Sequence, residues 1–180
     1  SLEGQWLKLQ DKDPFDYAKV ERKIPASKEL KVSFDLKAGQ NDKGTLQIEF
    51  LDENGIACSR MELTDDGIFR MKGGSRFANM MKYEAGKVYH VEAVLSTVDR
   101  NIQVYVDGKR VGLRMFYAPV AAVERIVFRT GVPRTFPTVD TPADQTYDLP
   151  NAGAQDSLAE YGIANVKTSS TDKDASSAFL

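Results

Sequence analysis

Apolar and polar residues alternate without a break in Leu30-Lys31-Val32-Ser33-Phe34-Asp35-Leu36-Lys37. Successive side chains of a strand point to opposite faces, so Leu30, Val32, Phe34 and Leu36 share one face. Leu46, Ile48 and Phe50 repeat the pattern, and Gly39, Asn41, Asp42 and Gly44 supply the turn between the two segments. The pair predicts an antiparallel hairpin. Asn54-Gly55 predicts a second tight hairpin with both residues at positive φ, leading into a strand over 56–63. Asp65-Asp66-Gly67 reverses the chain again before a strand over 68–72. Further strands are expected over 87–97, 101–107, 110–117 and 124–130, with Asp107-Gly108 as another two-residue turn. The stretch 73–86, bounded by Gly73-Gly74 and Gly86, is expected to be a long loop or a short helical turn.

No long segment carries the 3.6-residue period and caps of a core helix. Short strands recurring at intervals of roughly ten residues predict an all-β protein, an antiparallel two-sheet β-sandwich. After Gly131 the texture changes. Pro133, Pro137, Pro142 and Pro150, with Asp140, Asp144, Asp148 and Asp156, predict a loop over 131–157, long enough to be functional or disordered. A closing strand over 158–167 follows. Trp6, Leu7 and Leu9 predict an N-terminal strand lying beside it, which would tie down both ends. The expected organisation is one domain over 1–168, with 169–180 a polar linker or frayed end.

Composition narrows the function. A chain of 180 residues with 42% hydrophobic residues suits one domain with a sizeable core. Lys+Arg 24 against Asp+Glu 26 leaves a net charge of -2, so there is no overall basic field for nucleic acid. No apolar run approaches the roughly 18 residues of a membrane-spanning helix. The lone cysteine, Cys58, excludes an internal disulfide and a Cys-rich zinc site, and its strand position predicts an inert thiol. The chain begins at Ser1 and its first methionine is Met61, from which a longer gene product is expected.

The run Tyr83-x-x-Gly86-Lys87-Val88-Tyr89-His90-Val91-Glu92, followed by Ile102-Gln103-Val104-Tyr105-Val106-Asp107-Gly108-Lys109, resembles the concanavalin A-like and laminin-G-like jelly-roll modules. The closing Tyr161-Gly162-Ile163-Ala164-Asn165-Val166 is similar to their last strand. Ala164 stands where many such modules carry an acid; if that acid helps hold a structural calcium in them, it has no counterpart here. Two other stretches, Gln5 to Tyr17 and Glu124 to Gly131, resemble modules attached to secreted bacterial polysaccharide-degrading enzymes, sialidase-like ones among them. The resemblance implies an exported protein and a partner that is either a glycan or an adjoining catalytic domain.

Catalytic groups are few. Laminarinase-type hydrolases of this fold place acids in Glu-x-Asp-x-x-Glu on one cleft; the nearest run here has Glu49 and Asp52 three apart, on opposite strand faces. His90 is the only imidazole, and Ser96 on the same strand is about 20 Å away, beyond any relay. Gly73-Gly74-Ser75-Arg76 lacks the lysine of a phosphate-binding loop. Asp11, Asp13 and Asp16 are the candidate ligands of a structural calcium, and Asp140, Asp144 and Asp148 form a second acidic group; solvated turn acids are the competing reading of both. No organic cofactor is indicated.

Sugar binding needs a wet face with polar forks and an aromatic platform. Alternation turns His90, Glu92, Gln103 and Tyr105 outward, and Arg60, Arg70, Gln47 and Glu49 are expected on an outer face as well. Arg134 and Phe136 lie in the proline-rich loop. The candidate carbohydrate-binding residues are therefore Arg60, Arg70, His90, Tyr105, Arg134 and Phe136, in a module that binds glycan or braces a catalytic domain without reacting. A ligand-free interaction module, and a hydrolase or lyase with unrecognised catalytic groups, are the alternatives.

Overall fold

The computed structural model describes residues 5–12, 17–131 and 158–172. In these the strands are β1 (Leu7–Asp11), β2 (Lys19–Ser27), β3 (Glu29–Ala38), β4 (Leu46–Leu51), β5 (Ala57–Leu63), β6 (Ile68–Gly73), β7 (Arg76–Lys82), β8 (Val88–Ser96), β9 (Asn101–Val106), β10 (Lys109–Met115), β11 (Val123–Thr130) and β12 (Ala159–Ser170). They form two antiparallel six-stranded sheets that make a sandwich, in the orders β1-β12-β3-β8-β9-β10 and β2-β11-β4-β5-β6-β7. No helix among the described residues is long and apolar enough to cross a membrane.

The alternating residues of β3 build one wall of the core: Leu30, Val32, Phe34 and Leu36 are buried. They meet Ile48, Phe50 and Phe128 of the other sheet in one cluster, where Phe34 and Phe128 pack edge to face with centroids 5.1 Å apart. Burial of each such side chain contributes roughly 1.5–3 kcal/mol. The N-terminal strand lies where expected, β1 running antiparallel to β12 with Leu9 opposite Tyr161. The ends of the sheets are fastened to each other as well. Thr130 on β11 donates its hydroxyl to the Asp11 carboxylate of β1 at 2.8 Å and accepts the Ala18 N–H at 2.8 Å.

Several turns differ from the sequence expectation. The stretch 73–86 contains β7, joined to β6 through Gly74-Ser75. Gly74 has φ 58, and a positive φ at the first central position of a two-residue turn suits glycine. The mixed polarity of 76–82 hid this strand because it lies at a sheet edge. At Asn54-Gly55 only the glycine takes positive φ. The carboxylate of Asp52 accepts the Asn54 and Ile56 N–H groups, both at 2.9 Å, and folds 52–56 around itself. Asp107 and Gly108, at φ 50 and 81, form the expected tight turn. On β2, Lys19, Glu21, Arg22 and Lys23 interrupt the apolar pattern, as an edge strand tolerates, and Pro25 sits on that edge.

The last strand also runs further than the boundary at 168. β12 reaches Ser170, and beyond it the Asp172 carboxylate accepts the backbone N–H groups of Lys28 and Glu29 at 3.0 and 2.6 Å. A bulge interrupts β12, with Asn165 at φ 54 donating its amide to Asp35 at 2.7 Å. The asparagine of the closing motif thus serves a left-handed bulge position. The body of the proline-rich loop, 132–157, and the end of the tail, 173–180, lie outside the described residues.

Thr130→Val removes a hydroxyl that serves two strands and is expected to lower stability by about 1–3 kcal/mol, read as a fall in the urea midpoint. At Asp172 burial raises the carboxyl, but the N–H groups of Lys28 and Glu29 and the Ser170 hydroxyl outweigh it and hold the pKa below 3.8. A depressed carboxylate stabilises above its unfolded pKa and loses that contribution as pH falls through the folded value. The stability difference between the native chain and Asp172→Ala is therefore expected to shrink as pH drops below 3.8.

Candidate functional site

Register decides which outward side chains of the second sheet meet. Glu49 lies opposite Arg60, and Gln47 is flanked by Glu62 on one side and Arg129 on the other. Glu62 in turn faces Arg70, and Lys72 faces Phe77. A charged band therefore crosses β11, β4, β5, β6 and β7. At its centre one oxygen of Glu49 is 3.2 Å from Arg60 and 3.3 Å from Arg129. Arg70 bonds Glu62 at 2.7 Å, and its guanidinium lies 4.2 Å from the centre of the Phe77 ring. Lys72 is 5.3 Å from the Tyr117 ring.

The outer face of a sandwich is usually wet, yet here Gln47 and Arg60 are 0% exposed and Glu49 is 1% exposed. One cover among the described residues is the connection after β10. The Tyr117 N–H donates to the Cys58 carbonyl at 3.1 Å, and its ring packs on Leu51, Ala57 and Val127. Burial pushes the Tyr117 phenol far up. Burial first, and the Arg60 charge second, lower the Lys72 ammonium. Among the described residues the band holds four cations, Arg60, Arg70, Lys72 and Arg129, and two carboxylates, Glu49 and Glu62. Both polar atoms of the Gln47 amide and the Tyr117 hydroxyl are buried with no hydrogen bond among the described residues. Such groups are costly unless something polar meets them.

The expected sugar-binding residues do not converge on one patch. Arg60 and Arg70 occupy neighbouring strands of the second sheet, as their outward positions implied, but Arg60 is buried because charged partners and the Tyr117 connection close over it. His90 and Tyr105 lie on the outer face of the other sheet, turned the opposite way. His90 Nδ1 is 2.8 Å from the Asp35 carboxylate, and the Tyr105 hydroxyl donates to Gln103 at 3.1 Å. Burial raises the Asp35 carboxyl, but hydrogen bonds from Asn165 and His90 outweigh it and hold the pKa below the usual range. Arg134 and Phe136 lie outside the described residues, as do Asp13 and Asp16.

Asp11 is 7% exposed and directed to Thr130. Among the described residues no three or more His, Cys, Asp or Glu side chains are grouped to hold a metal. Cys58 is a buried free thiol whose pKa burial drives far up. Sequence reasoning missed Glu62, Lys72, Phe77, Tyr117 and Arg129. A signal existed for three of them: charges stand two apart at Arg60 and Glu62 and at Arg70 and Lys72, and Arg125 and Arg129 stand four apart, on one face of their strand.

The family model described as "Sialidase-like, CBM domain" matches residues 1–145. A solved chain named "Sialidase" is 89% identical to this one, with a TM-score of 0.83, over 97% of this chain and 16% of that one. The chain thus spans about a sixth of that sialidase's length. Sheep galectin-11 in complex with glycerol shares the fold at 15% identity and a TM-score of 0.53, over 83% of this chain and 96% of the galectin. A structure of botulinum neurotoxin type C, whose cell entry depends on two ganglioside molecules, shares it at 15% identity and a TM-score of 0.57, over 97% of this chain and 42% of that one. No curated protein matches the chain.

Removing one partner of a buried ion pair strands the others, so Glu49→Gln is expected to cost about 3–5 kcal/mol in guanidinium denaturation. Tyr117→Phe deletes a hydroxyl with no partner among the described residues, and its unfolding midpoint is expected to equal or exceed that of the native chain.

Proposed function

The chain belongs to the sialidase-like carbohydrate-binding-module family, and on that premise we propose that it binds acidic glycans across the outer face of its second sheet. The observation that carries this reading is the cation-rich band around Glu49 among the described residues, which reaches the sheet surface at Arg70. Arg70, with 34% of its side chain exposed, and Phe77 stand at the accessible edge of the band. The acid group of a sugar meets the cationic edge at Arg70, beside the Phe77 ring. Guanidinium–carboxylate hydrogen bonds are among the strongest available to such a site.

The sialidase likeness favours a sugar acid as the acidic group, and it supports a module of a larger, exported polysaccharide-processing protein. The concanavalin A-like or laminin-G-like grouping stays part of this proposal. A structural calcium held by Asp11, Asp13 and Asp16 is weakened by the use of Asp11 at Thr130. The second reading, a brace against an adjoining catalytic domain, is favoured by Leu113 and Met115, which are 44% and 58% exposed on the edge strand β10.

Calorimetric titration with 3′-sialyllactose, and with the same glycan after its carboxylate is reduced to an alcohol, tests the proposal. The acid is expected to bind and the alcohol to bind at least about tenfold more weakly, with Arg70→Ala producing a similar loss. Equal affinity for the two sugars would remove the anionic site from consideration.

A further inference from the structure

The outer face of the first sheet carries a groove that the charged band does not reach. Its volume is about 340 Å³, and it is lined by Trp6, Lys8, Lys37, Val88, Glu160 and Gly162. That size lies within the range of about 300–1,000 Å³ usual for small-molecule sites. The floor depends on a glycine. Gly162 lies opposite Lys8 on β1 and opposite Lys37 on β3. A Cβ at 162 would sit 3.0 Å from Cε3 and 3.5 Å from Cζ3 of the Trp6 indole, so the benzo ring rests directly on the bare strand. Trp6 is half-buried at the groove.

The polar groups around the ring are arranged, not scattered. Glu160 receives the Gln10 amide at 2.6 Å on one oxygen and the Lys8 ammonium at 3.3 Å on the other. Those contacts fix the carboxylate as an acceptor beside the indole. Lys37 is exposed on the far side as a donor. An aromatic surface flanked by a fixed acceptor and two donors matches a pyranose, whose C–H face is apolar and whose edge is lined with hydroxyls. Lys8 is already paired with Glu160, so the groove offers a neutralised pair and one further donor, and an apolar peptide side chain would leave these polar groups without partners.

We propose that this groove is a second sugar site, taking a neutral pyranose stacked on Trp6 with its hydroxyls on Glu160, Lys8 and Lys37. It rests on the reading of the chain as a glycan binder but not on which face holds the acidic sugar. Because the groove and the charged band lie on opposite outer faces of the sandwich, one glycan chain would have to pass around the domain to occupy both.

Trp6 is the only tryptophan of the chain, so its fluorescence reports this groove alone. Lactose, maltose and cellobiose are titrated separately into the full chain while tryptophan emission is followed. At least one is expected to give a saturable change, with half-saturation on the order of 1 mM. Arg70→Ala is expected to leave that response intact, whereas Lys37→Ala and Gly162→Ala each weaken it at least about fivefold. Folding of both variants is checked by their unfolding midpoints. Three results would overturn the proposal: no saturable response to any of the three sugars, a response that both groove variants retain, or a Trp6 that acrylamide fails to quench because the groove is filled by protein. Loss of 3′-sialyllactose binding with an intact tryptophan response would count against the acidic-sugar face alone.

Discussion

Two guanidinium groups cannot remain in an interior with 4% exposure or less unless a counter-charge sits between them, and Glu49 supplies it to Arg60 and Arg129 together. The three side chains come from β5, β4 and β11, so the contact holds only if those strands keep their register. A one-residue slip would turn Glu49 into the apolar core and Ile48 or Phe50 into the charged band. The same alternation therefore serves both sides of the sheet. Apolar residues facing inward build the core, and the charged residues between them are forced into a layer of their own.

That double use explains why β4 and β5 are buried at every position. A sheet with one wet face would leave its outward charges screened and worth little. Here Tyr117 and its flanking connection help to close the layer, so its electrostatics act at short range and in low dielectric. The opposite sheet differs. Its outer face is open, its polar pairs are local, as with His90 and Asp35, and its aromatic surface is supplied by Trp6 resting on Gly162. The two outer faces thus offer different chemistry on one framework, one charged and enclosed, the other aromatic and exposed.

Much of this was legible in the chain, and particular residues show where legibility stopped. Strands with clean alternation, such as β3 and β8, were readable because each inward position is apolar and each outward one polar. The edge strand β7 was not readable, since a strand packed on one side only tolerates Arg76, Asn79 and Lys82 among its apolar residues. At Asn54-Gly55 the dipeptide suggested a tighter turn than the one formed, because the Asp52 carboxylate bonds the local N–H groups and supports a five-residue loop. Arg60 and Arg70 were recognisable as outward-facing residues. Their separation from His90 and Tyr105 was not, because strands are allotted to two sheets by long-range pairing.

Strand period and turn chemistry are local properties, so an all-β antiparallel sandwich with the N-terminal strand beside the last one could be read from the order of residues alone. The pairing of β4 with both β5 and β11, the meeting of Glu49 with two arginines, and the resting of Trp6 on Gly162 join residues from 6 to more than 150 positions apart. Such contacts depend on the order of strands within each sheet and on the hydrogen-bonded register between them. Side-chain pattern restricts that order only weakly, because any two strands with one apolar face can pair. Which outward residues share a face, and hence which of them can act together, follows from the long-range pairing of strands.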